Sequence, residues 1–215
     1  MNESVGALLS RASTRPVREP EWDPQASPAE PLDLFAEWLG EAVGDGVLAA
    51  NAVVLATATV DGTPSARTVL LADAGEEGFW FATSAAGPTG RELAENPVGA
   101  LVLHLREHAR QVRITGEVAR GDGDRAAELF RRRGTAARAV VLAGRQSDVL
   151  PSDAAERIAA ARERVEQDDA IDPDYAAYLL TPYAVEFWQS RHAAGELRLR
   201  YRREHGEWRR ERLWP

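Results

Sequence analysis

Apolar residues recur at two different spacings along the chain. A spacing of three to four residues is typical of a helix with one buried face, and a spacing of two is typical of a half-buried strand. Glycines follow the first helical segment, and Ser152 stands at the N-cap position of the last one. The helical spacing predicts helices over 30–46, 90–97, 124–134 and 151–167.

Between and after these helices, apolar residues alternate with polar ones or form short runs bounded by turn residues. Asp61-Gly62 and His205-Gly206 are dipeptides that favour hairpin turns. The predicted strands cover 52–60, 65–74, 78–84, 99–107, 110–121, 175–189 and 197–215, the last containing the second turn. Many antiparallel strands with a few inserted helices predict a mainly β fold with added helices (α+β), built as a small β-barrel.

The first 30 residues differ in composition from the rest. They are rich in Pro, Ser and Glu and show no sustained period, so we expect residues 1–30 to form a flexible arm. A chain of 215 residues is long enough for one good-sized domain and short for two. We therefore expect residues 31–215 to form a single domain.

Composition excludes several classes of chemistry. The chain has no cysteine and all 26 of its basic residues are arginine, which excludes disulfides, thiol and lysine nucleophiles and a pyridoxal Schiff base. A net charge of −8 argues against a nucleic-acid partner, and His104 and His108 fall on a strand end, where a metal pair is not expected. Without a run of ~20 apolar residues or a secretory signal, we expect a cytoplasmic protein with no membrane partner.

A Gly-Pro-Thr-Gly loop lies between a predicted strand and a predicted helix. It belongs to the segment SAAGPTGRELAENP, residues 84–97, directly after the apolar run GFWFAT. A loop that opens a helix presents backbone amides at the helix N-terminus, and these favour a phosphate group. No residue of the loop before Arg91 carries a positive charge, so the sequence predicts a phosphate site without its usual cations.

Seven short segments occur in an order that is found in one family. They are PLDLFAEWL, ARTVLLAD, FWFATS…GRELAENP, RQVRITGEV, RQSD, VEFWQ and the terminal W…ERLWP. From about Pro31 to Pro215 the chain resembles the pyridoxamine 5′-phosphate oxidase family, and its closing tail and GREL helix are similar to the branch that oxidises phenazine precursors. The resemblance implies an FMN-binding split β-barrel that works as a homodimer, with a cleft for cofactor and small-molecule substrate between the subunits.

The resemblance also implies which residues hold FMN. It assigns the FMN phosphate to Arg67, because a guanidinium can bind a phosphate through two parallel hydrogen bonds. It places Gln111 at the isoalloxazine edge from the partner subunit, and Trp188 and Arg198 at the far side of the flavin. The full set implied for the cofactor is Arg67, Thr68, Val69, Leu70, Thr83, Thr89, Gln111, Gln146, Ser147, Trp188 and Arg198.

The phosphate loop departs from the family pattern. Typical members carry Ser-Arg-Lys or Ser-Gln-Lys where this chain has Gly87, Pro88 and Thr89. A charge-assisted hydrogen bond contributes ~1.5–3 kcal/mol, so the loss of one or two cations is expected to weaken FMN binding by one to several powers of ten. The Thr89 hydroxyl, the helix N-terminus, Arg67 and, as a further candidate, Arg91 are left to hold the phosphate, unless the site has changed its ligand.

The substrate side departs further. The vitamin-oxidising members hold their substrate with Lys, Tyr and Ser, and the corresponding residues here are Ala72, Leu129 and Ala137. Arg133 keeps its type, but Ala-Gly-Glu at 194–196 replaces the Arg-Leu-His that orients pyridoxine phosphate. Pyridoxamine 5′-phosphate is therefore not expected as the substrate. Glu196 either favours a cationic or amine-bearing substrate or is a solvated loop residue.

Three hypotheses stay open. The first is an FMN-dependent oxidase of secondary metabolism, which transfers hydride from a reduced heterocyclic or amine intermediate to the flavin and then to oxygen, with Arg133 and Glu196 at the substrate. The second is a family member that has lost FMN and binds a pathway intermediate or acts on it without redox chemistry. The third is the use of a deazaflavin. No catalytic residue is assigned, because the flavin itself would accept the hydride.

Overall fold

The computed structural model describes residues 5–11, 15–192 and 195–215. Within these residues the helices are α1 (Val5–Ser10), α2 (Pro31–Gly44), α3 (Pro88–Glu95), α4 (Gly123–Arg131), α5 (Thr135–Ala143) and α6 (Ala154–Asp168), and a 3-10 turn covers Arg106–His108. The strands are β1 (Ala52–Ala58), β2 (Pro64–Gly75), β3 (Gly78–Ser84), β4 (Val98–Leu105), β5 (Arg110–Arg120), β6 (Tyr175–Arg191), β7 (Gly195–Glu204) and β8 (Glu207–Arg212). None of the described helices combines the length and the apolar character that crossing a membrane requires.

A closed antiparallel barrel forms the body of the described chain. Its strands follow one another in the order β3-β2-β1-β4-β5-β6, and pairing of β3 with β6 closes the ring. Closure leaves no free strand edge within the ring. The strands β7 and β8 continue the sheet from β6 beyond the barrel. This architecture confirms the predicted mainly β fold with added helices.

The strand β6 takes part in both the barrel and its extension. Its residues 175–180 pair with β3 and its residues 184–191 pair with β7, while β5 pairs along most of its length. The register with β5 shifts between Thr115 and Gly116, which marks a bulge. A Cβ atom on Gly116 would overlap the carbonyl oxygen of Thr181, so the close approach of the two strands requires a glycine.

The barrel interior and α2 make the main core. Alternate strand residues point inward, as the period of two requires, and Val53 and Leu55 of β1 are almost completely buried. Phe35 and Trp38 of α2 join this core, and the Trp38 ring meets Phe187 of β6 edge to face with centroids 5.1 Å apart. The periodic apolar face of α2 therefore finds its partner in the barrel.

A second, smaller apolar cluster lies on the outside of the barrel. Leu129 and Phe130 of α4 pack against Tyr175 and Ala177 of β6, and the rings of Phe130 and Tyr175 meet edge to face at 5.0 Å. The helices α5 and α6 pack against each other beyond α4. These three helices stand over the outer face of the sheet and enclose a cavity against it.

Residues 15–30 lie along the barrel. The buried side chain of Gln189 donates to the carbonyl oxygen of Pro20 at 2.6 Å. The buried guanidinium of Arg110 donates to the carbonyl oxygen of Glu21 at 3.4 Å. The division of the chain into a flexible arm and a single domain stays a prediction.

Both predicted turns are present, but the first is longer than predicted. Both residues of His205-Gly206 have positive φ, 54° and 91°, as a two-residue hairpin turn of this type requires. Asp61-Gly62 lies in the longer connection 59–63 between β1 and β2. The N-cap of α6 is Asp153 and not Ser152, so that prediction is wrong by one residue.

The sequence pattern does not predict α1 or α5. The segment ARAVVLAG, which contributes most of α5, is apolar on all sides, so its spacing gives no helical face. Arg138, the charged exception, is nearly buried and pairs with Asp169 at the end of α6. A tertiary ion pair thus joins α5 to the end of α6, beside the packing of the two helices.

We predict that Gly116→Ala lowers the free energy of unfolding by about 1–3 kcal/mol, the usual cost of forcing extra atoms into a packed site. Urea unfolding followed by circular dichroism measures the change. The matched control is Gly123→Ala at the start of α4, where an added Cβ meets no atom within 4 Å, and its effect should stay within about 0.5 kcal/mol. Equal stability of the two variants would contradict the prediction.

Candidate functional site

A cavity of about 1000 Å³ lies between the outer side of β2 and β3 and the helices α4 to α6. Small-molecule sites typically have volumes of about 300–1,000 Å³, so this cavity can hold a large ligand. Its wall contains six of the predicted cofactor residues and one predicted substrate residue. These are Arg67, Thr68, Val69, Leu70, Thr83, Gln146 and Arg133.

Alternation along β2 decides which of its side chains face the cavity. Arg67 pairs with the buried Leu55 of β1, so its side chain lies on the inner side of the strand. Thr68 and Leu70 lie on the other side, and Leu70 is 56% exposed. The cavity therefore meets the outer side chains and the backbone of this strand, and Arg67 borders it although its guanidinium is held on the inner side.

A polar network holds the guanidinium of Arg67. Its Nη1 donates to the carbonyl oxygen of Leu55 at 3.3 Å and to the hydroxyl of Thr57 at 2.5 Å. Its Nη2 donates to the hydroxyl of Ser65 and lies 3.3 Å from Oε2 of Glu92. A guanidinium has five N–H donors, and these contacts engage the four on its Nη atoms. Among the contacts of the described residues, the Nε–H is left for a ligand.

Glu92 of α3 is the acceptor at the centre of this network. Ser65 donates to its two carboxylate oxygens at 2.7 and 2.6 Å, and Thr57 donates to it as well. Burial would raise the pKa of Glu92, but the hydrogen bonds from Ser65 and Thr57 and the charge of Arg67 outweigh it and hold the pKa below its usual value of 4.5. Glu92 is thus ionised at neutral pH and offsets the charge of Arg67.

The Gly-Pro-Thr-Gly loop adds no side-chain cation to the cavity wall. Gly87 is the N-cap of α3, and a Cβ there would lie 2.8 Å from Oε1 of Gln146, to which Thr83 donates at 3.1 Å. Thr89 is 3% exposed and does not line the cavity. The side chain of Arg91 donates to a carbonyl oxygen of the loop and also lies outside the wall. The role of Thr89 toward a phosphate stays a prediction.

Positive charge enters the cavity from the helical side. The arginines on this side are Arg132, Arg133, Arg145 and Arg157. The guanidinium of Arg133 lies 5.8 Å from the ring centre of Tyr175. Arg157 forms an ion pair with Asp153, with 2.9 Å between Nε and Oδ2. An anionic group in the cavity would therefore meet cations on the helices.

Carboxylates face the same space. They belong to Asp148, Asp172 and Asp174. Burial raises the pKa of Asp172, and hydrogen bonds from the amides of Asp174 and Tyr175 offset only part of this effect. The cavity thus combines cations with one carboxyl group that holds its proton more readily than usual.

Ser147 differs from its neighbour Gln146. It does not line the cavity, and its φ of 70° lies in the left-handed region that is rare for residues other than glycine. Strained backbone of this kind persists where the surrounding structure fixes it and is frequent at ligand sites. A contact between Ser147 and FMN stays a prediction.

Gln111, Trp188 and Arg198 form a separate row on β5, β6 and β7. Gln111 pairs with Trp188, and Trp188 pairs with Arg198, so the three side chains lie on one face. Their neighbours Val112 and Phe187 point to the core, so the row lies on the outer face of the sheet. None of the three lines the cavity of its own chain.

The predicted substrate residues fall in two places. Arg133 lines the cavity together with Ala72 and Leu129, so apolar side chains stand where the vitamin-oxidising members have Lys and Tyr. Glu196 lies on β7 and accepts a hydrogen bond from the indole of Trp188 at 2.9 Å. Ala194 lies outside the described residues.

Comparison with known proteins identifies the family. A family model described as pyridoxamine 5′-phosphate oxidase matches residues 39–189. The chain belongs to the pyridoxamine 5′-phosphate oxidase family. A second model, described as the pyridoxine 5′-phosphate oxidase C-terminal dimerisation region, matches residues 175–215. The two matches share β6, and together they cover the barrel and its extension.

Individual relatives are similar over most of their length. The pyridoxine/pyridoxamine 5′-phosphate oxidase of Rubrobacter xylanophilus is 39% identical over 189 residues, which are 86% of this chain and 87% of the relative. The protein of the same name from Salinibacter ruber is 38% identical over 192 residues, 86% of this chain and 89% of the relative.

Solved structures support the fold. PhzG from Burkholderia lata 383, in complex with tetrahydrophenazine-1-carboxylic acid, superposes with a TM-score of 0.85 at 29% identity, over 89% of this chain and 96% of PhzG. A pyridoxamine 5′-phosphate oxidase-related FMN-binding protein from Nostoc punctiforme superposes with a TM-score of 0.73. It is 17% identical over 88% of this chain and 100% of the relative, and it therefore supports the fold alone.

The residues of the cavity fit FMN by their chemistry. The backbone of 68–70 runs along the wall, Thr83 and Gln146 supply hydrogen-bonding side chains, and the helical wall supplies cations. Glu92 opposes a phosphate beside Arg67, and Asp148, Asp172 and Asp174 add carboxyl groups to the wall.

The sequence does not indicate Glu92, Asp172 or the arginines of the helical wall other than Arg133. Glu92 stands inside the family segment GRELAENP, but nothing in its spacing indicates a partner on β2. Arg145 directly precedes Gln146 in the sequence. This neighbourhood is the one sequence signal that Arg145 lines the cavity.

We predict that Glu92→Gln lowers the free energy of unfolding at pH 7 by about 1.5–3 kcal/mol, the range for hydrogen bonds to charged groups. Because the pKa of Glu92 is lower in the folded protein, its contribution is present above pH 4.5 and is lost as the pH falls through the folded-state pKa. The difference between the two proteins should therefore shrink below pH 4.5. Denaturant unfolding at several pH values measures it.

The matched control is Glu95→Gln, at an exposed position of the same helix. Its effect should stay within about 0.5 kcal/mol. A difference between wild type and Glu92→Gln that is constant from pH 7 to pH 3 would contradict the role of the charge.

Proposed function

We propose that this protein is an FMN-dependent oxidase that acts on a reduced heterocyclic or amine intermediate of secondary metabolism. The observation that carries the proposal is the common cavity of Arg67, Thr68, Val69, Leu70, Thr83 and Gln146. These residues come from three separate segments, and all belong to the set that the family resemblance implies for FMN. Family membership supports a flavin at this place.

FMN, when bound, supplies the hydride acceptor of the reaction. The chain's own residues bind and orient it. Arg67 would reach the phosphate through its Nε–H, because its Nη atoms are held by Glu92 and its neighbours. Thr83 and Gln146, already joined by a hydrogen bond of 3.1 Å, would turn toward the cofactor as a pair.

The substrate side of the cavity supports a ligand other than pyridoxamine 5′-phosphate. Ala72 and Leu129 give this wall an apolar surface and remove two polar contacts to a substrate phosphate. A flat, mainly apolar ring suits such a wall, and Arg133 can bind a single carboxylate. PhzG, the structural relative from Burkholderia lata, binds tetrahydrophenazine-1-carboxylic acid, a ligand of this chemistry.

The active unit is proposed to be a homodimer with the cleft between subunits, in the cytoplasm. The match to a dimerisation region supports a homodimer. Trp188 and the cavity residue Tyr175 lie near opposite ends of β6. Since a strand rises ~3.3 Å per residue, the path along the strand between them is on the order of 40 Å. The Trp188 row would therefore meet the cavity of a partner subunit more readily than that of its own chain.

One observation favours the second candidate, a family member that binds its ligand without FMN. Glu92 offsets the charge of Arg67, and the loop before Arg91 has no cation. In that case the arginines of the helical wall would bind an anionic pathway intermediate. A purified protein that shows no flavin absorption and does not bind added FMN would favour this candidate, and binding of a deazaflavin in preference to FMN would favour the third hypothesis.

We predict that Arg67→Ala raises the dissociation constant of FMN about tenfold to a hundredfold, which corresponds to the loss of one charge-assisted hydrogen bond. The constant for riboflavin, which lacks the phosphate, should change little. Titration followed by flavin fluorescence measures both. Arg91→Ala is the control, because that side chain lies outside the cavity wall, and it should leave both constants near wild type. Equal losses for FMN and riboflavin would contradict a phosphate contact.

We predict that the FMN-loaded protein oxidises tetrahydrophenazine-1-carboxylic acid with a kcat/KM at least about a hundredfold above that for pyridoxamine 5′-phosphate, because two polar contacts to the latter are missing. Oxygen consumption measures both rates. The double variant Ala72→Lys with Leu129→Tyr should gain at least about tenfold toward pyridoxamine 5′-phosphate.

The control is Ala136→Lys, which adds a charge at an exposed position of α5 outside the cavity wall. It should change neither rate. Fast oxidation of pyridoxamine 5′-phosphate by the wild type would contradict the proposed substrate class.

A further inference from the structure

The indole of Trp188 is held from one side by a carboxylate. Trp188 Nε1 donates to Oε2 of Glu196 at 2.9 Å. Glu196 pairs with Ser190 of β6 and lies two residues before Arg198, so its side chain shares the outer face of the sheet with the Trp188 row. The contact is therefore a diagonal pair across two neighbouring strands, a geometry within reach of an aromatic and a long side chain.

The arginine of the row is held as well. Arg198 pairs with Trp188 in the register and donates to Oε1 of Glu186 from Nε at 3.1 Å. Glu186 is buried and also accepts from Arg113 at 2.7 Å. On the side of β7, Trp188 thus meets two charged residues, the carboxylate of Glu196 and the guanidinium of Arg198.

Among the described residues, Glu196 forms no ion pair that would require a carboxylate at this position. Its side chain is exposed, and its one contact among the described residues is the indole N–H. The side chain of Trp188 is partly exposed on the outer face, so the core does not enclose its ring. A single acceptor placed at the indole nitrogen selects one orientation of the ring.

We propose that Glu196 is a positioning residue that fixes the ring of Trp188 for contact with the flavin. The inference rests on the proposed function, which assigns Trp188 and Arg198 to the cofactor. In this role Glu196 acts through Trp188, and its contact with substrate is not required. Fixing the ring before binding removes the loss of side-chain freedom that binding would otherwise cause.

The first part of the experiment does not depend on a cofactor. In the apoprotein, the indole N–H resonance of Trp188 is assigned among those of the six tryptophans as the signal that is lost in Trp188→Phe. Glu196→Ala should shift this resonance, and Glu196→Gln, which keeps an oxygen acceptor, should keep it near its wild-type position. An unchanged resonance in Glu196→Ala overturns the inference, whatever the flavin experiments give.

The second part measures FMN binding by the same proteins. Glu196→Ala should raise the dissociation constant of FMN about three- to tenfold and reduce the quenching of flavin fluorescence, and Glu196→Gln should restore both. Glu207→Ala, an exposed position of β8, is the control and should match wild type. A shifted indole with unchanged FMN affinity and fluorescence overturns the role toward the flavin.

The two proposals fail in different ways. If the wild type binds no FMN, the proposed function fails and the role of Glu196 toward a flavin is overturned with it, even where the indole resonance responds. If the wild type binds FMN and Glu196→Ala binds it equally well, only the positioning role fails. If Glu196→Gln behaves like Glu196→Ala, the negative charge and not the hydrogen bond acts on the cofactor, and the inference is overturned.

Discussion

The pairing of β3 with the first half of β6 closes the barrel, and the candidate site depends on this closure. It sets Thr83 opposite Ala176 and Ser84 opposite Tyr175, which joins the end of β3 to the start of β6. The amide of Ala85 then donates to the carbonyl oxygen of Asp174 at 2.6 Å. The loop that enters α3 and the turn that enters β6 are thereby brought to the same cavity, although they are far apart in the sequence.

The same strand separates the two halves of the proposed cofactor site. Its first half carries Tyr175 in the cavity wall, and its second half leaves the barrel and carries Trp188 on the outer face beside β7. Because the two groups stand at opposite ends of one strand, the proposed site calls for a second chain. The match to a dimerisation region supports a homodimer.

Local pattern predicts most of the elements but not the contacts between them. The alternating residues of β2 and the periodic face of α2 are visible in the sequence because each element has one buried side. The segment of α5 is apolar apart from Arg138, so its pattern gives no face, and only its tertiary contacts with α6 show where it lies. The same holds for the candidate site. The family segments indicate Arg67 and Gln146. The ion pair of Glu92 with Arg67 is visible only in the structure, where α3 packs against β1 and β2.

The glycines of the phosphate-type loop have a reason for their presence that does not involve a phosphate. A Cβ on Gly90 would overlap the backbone of Ser84 and Ala85, and one on Gly87 would lie 2.8 Å from Oε1 of Gln146. Packing alone therefore requires a glycine at position 90, and the loop would keep it after the loss of any ligand. Cations have no such packing role, and the loop has none before Arg91. The case for FMN thus depends on Arg67 and the wall of β2, and not on the glycine pattern of the loop.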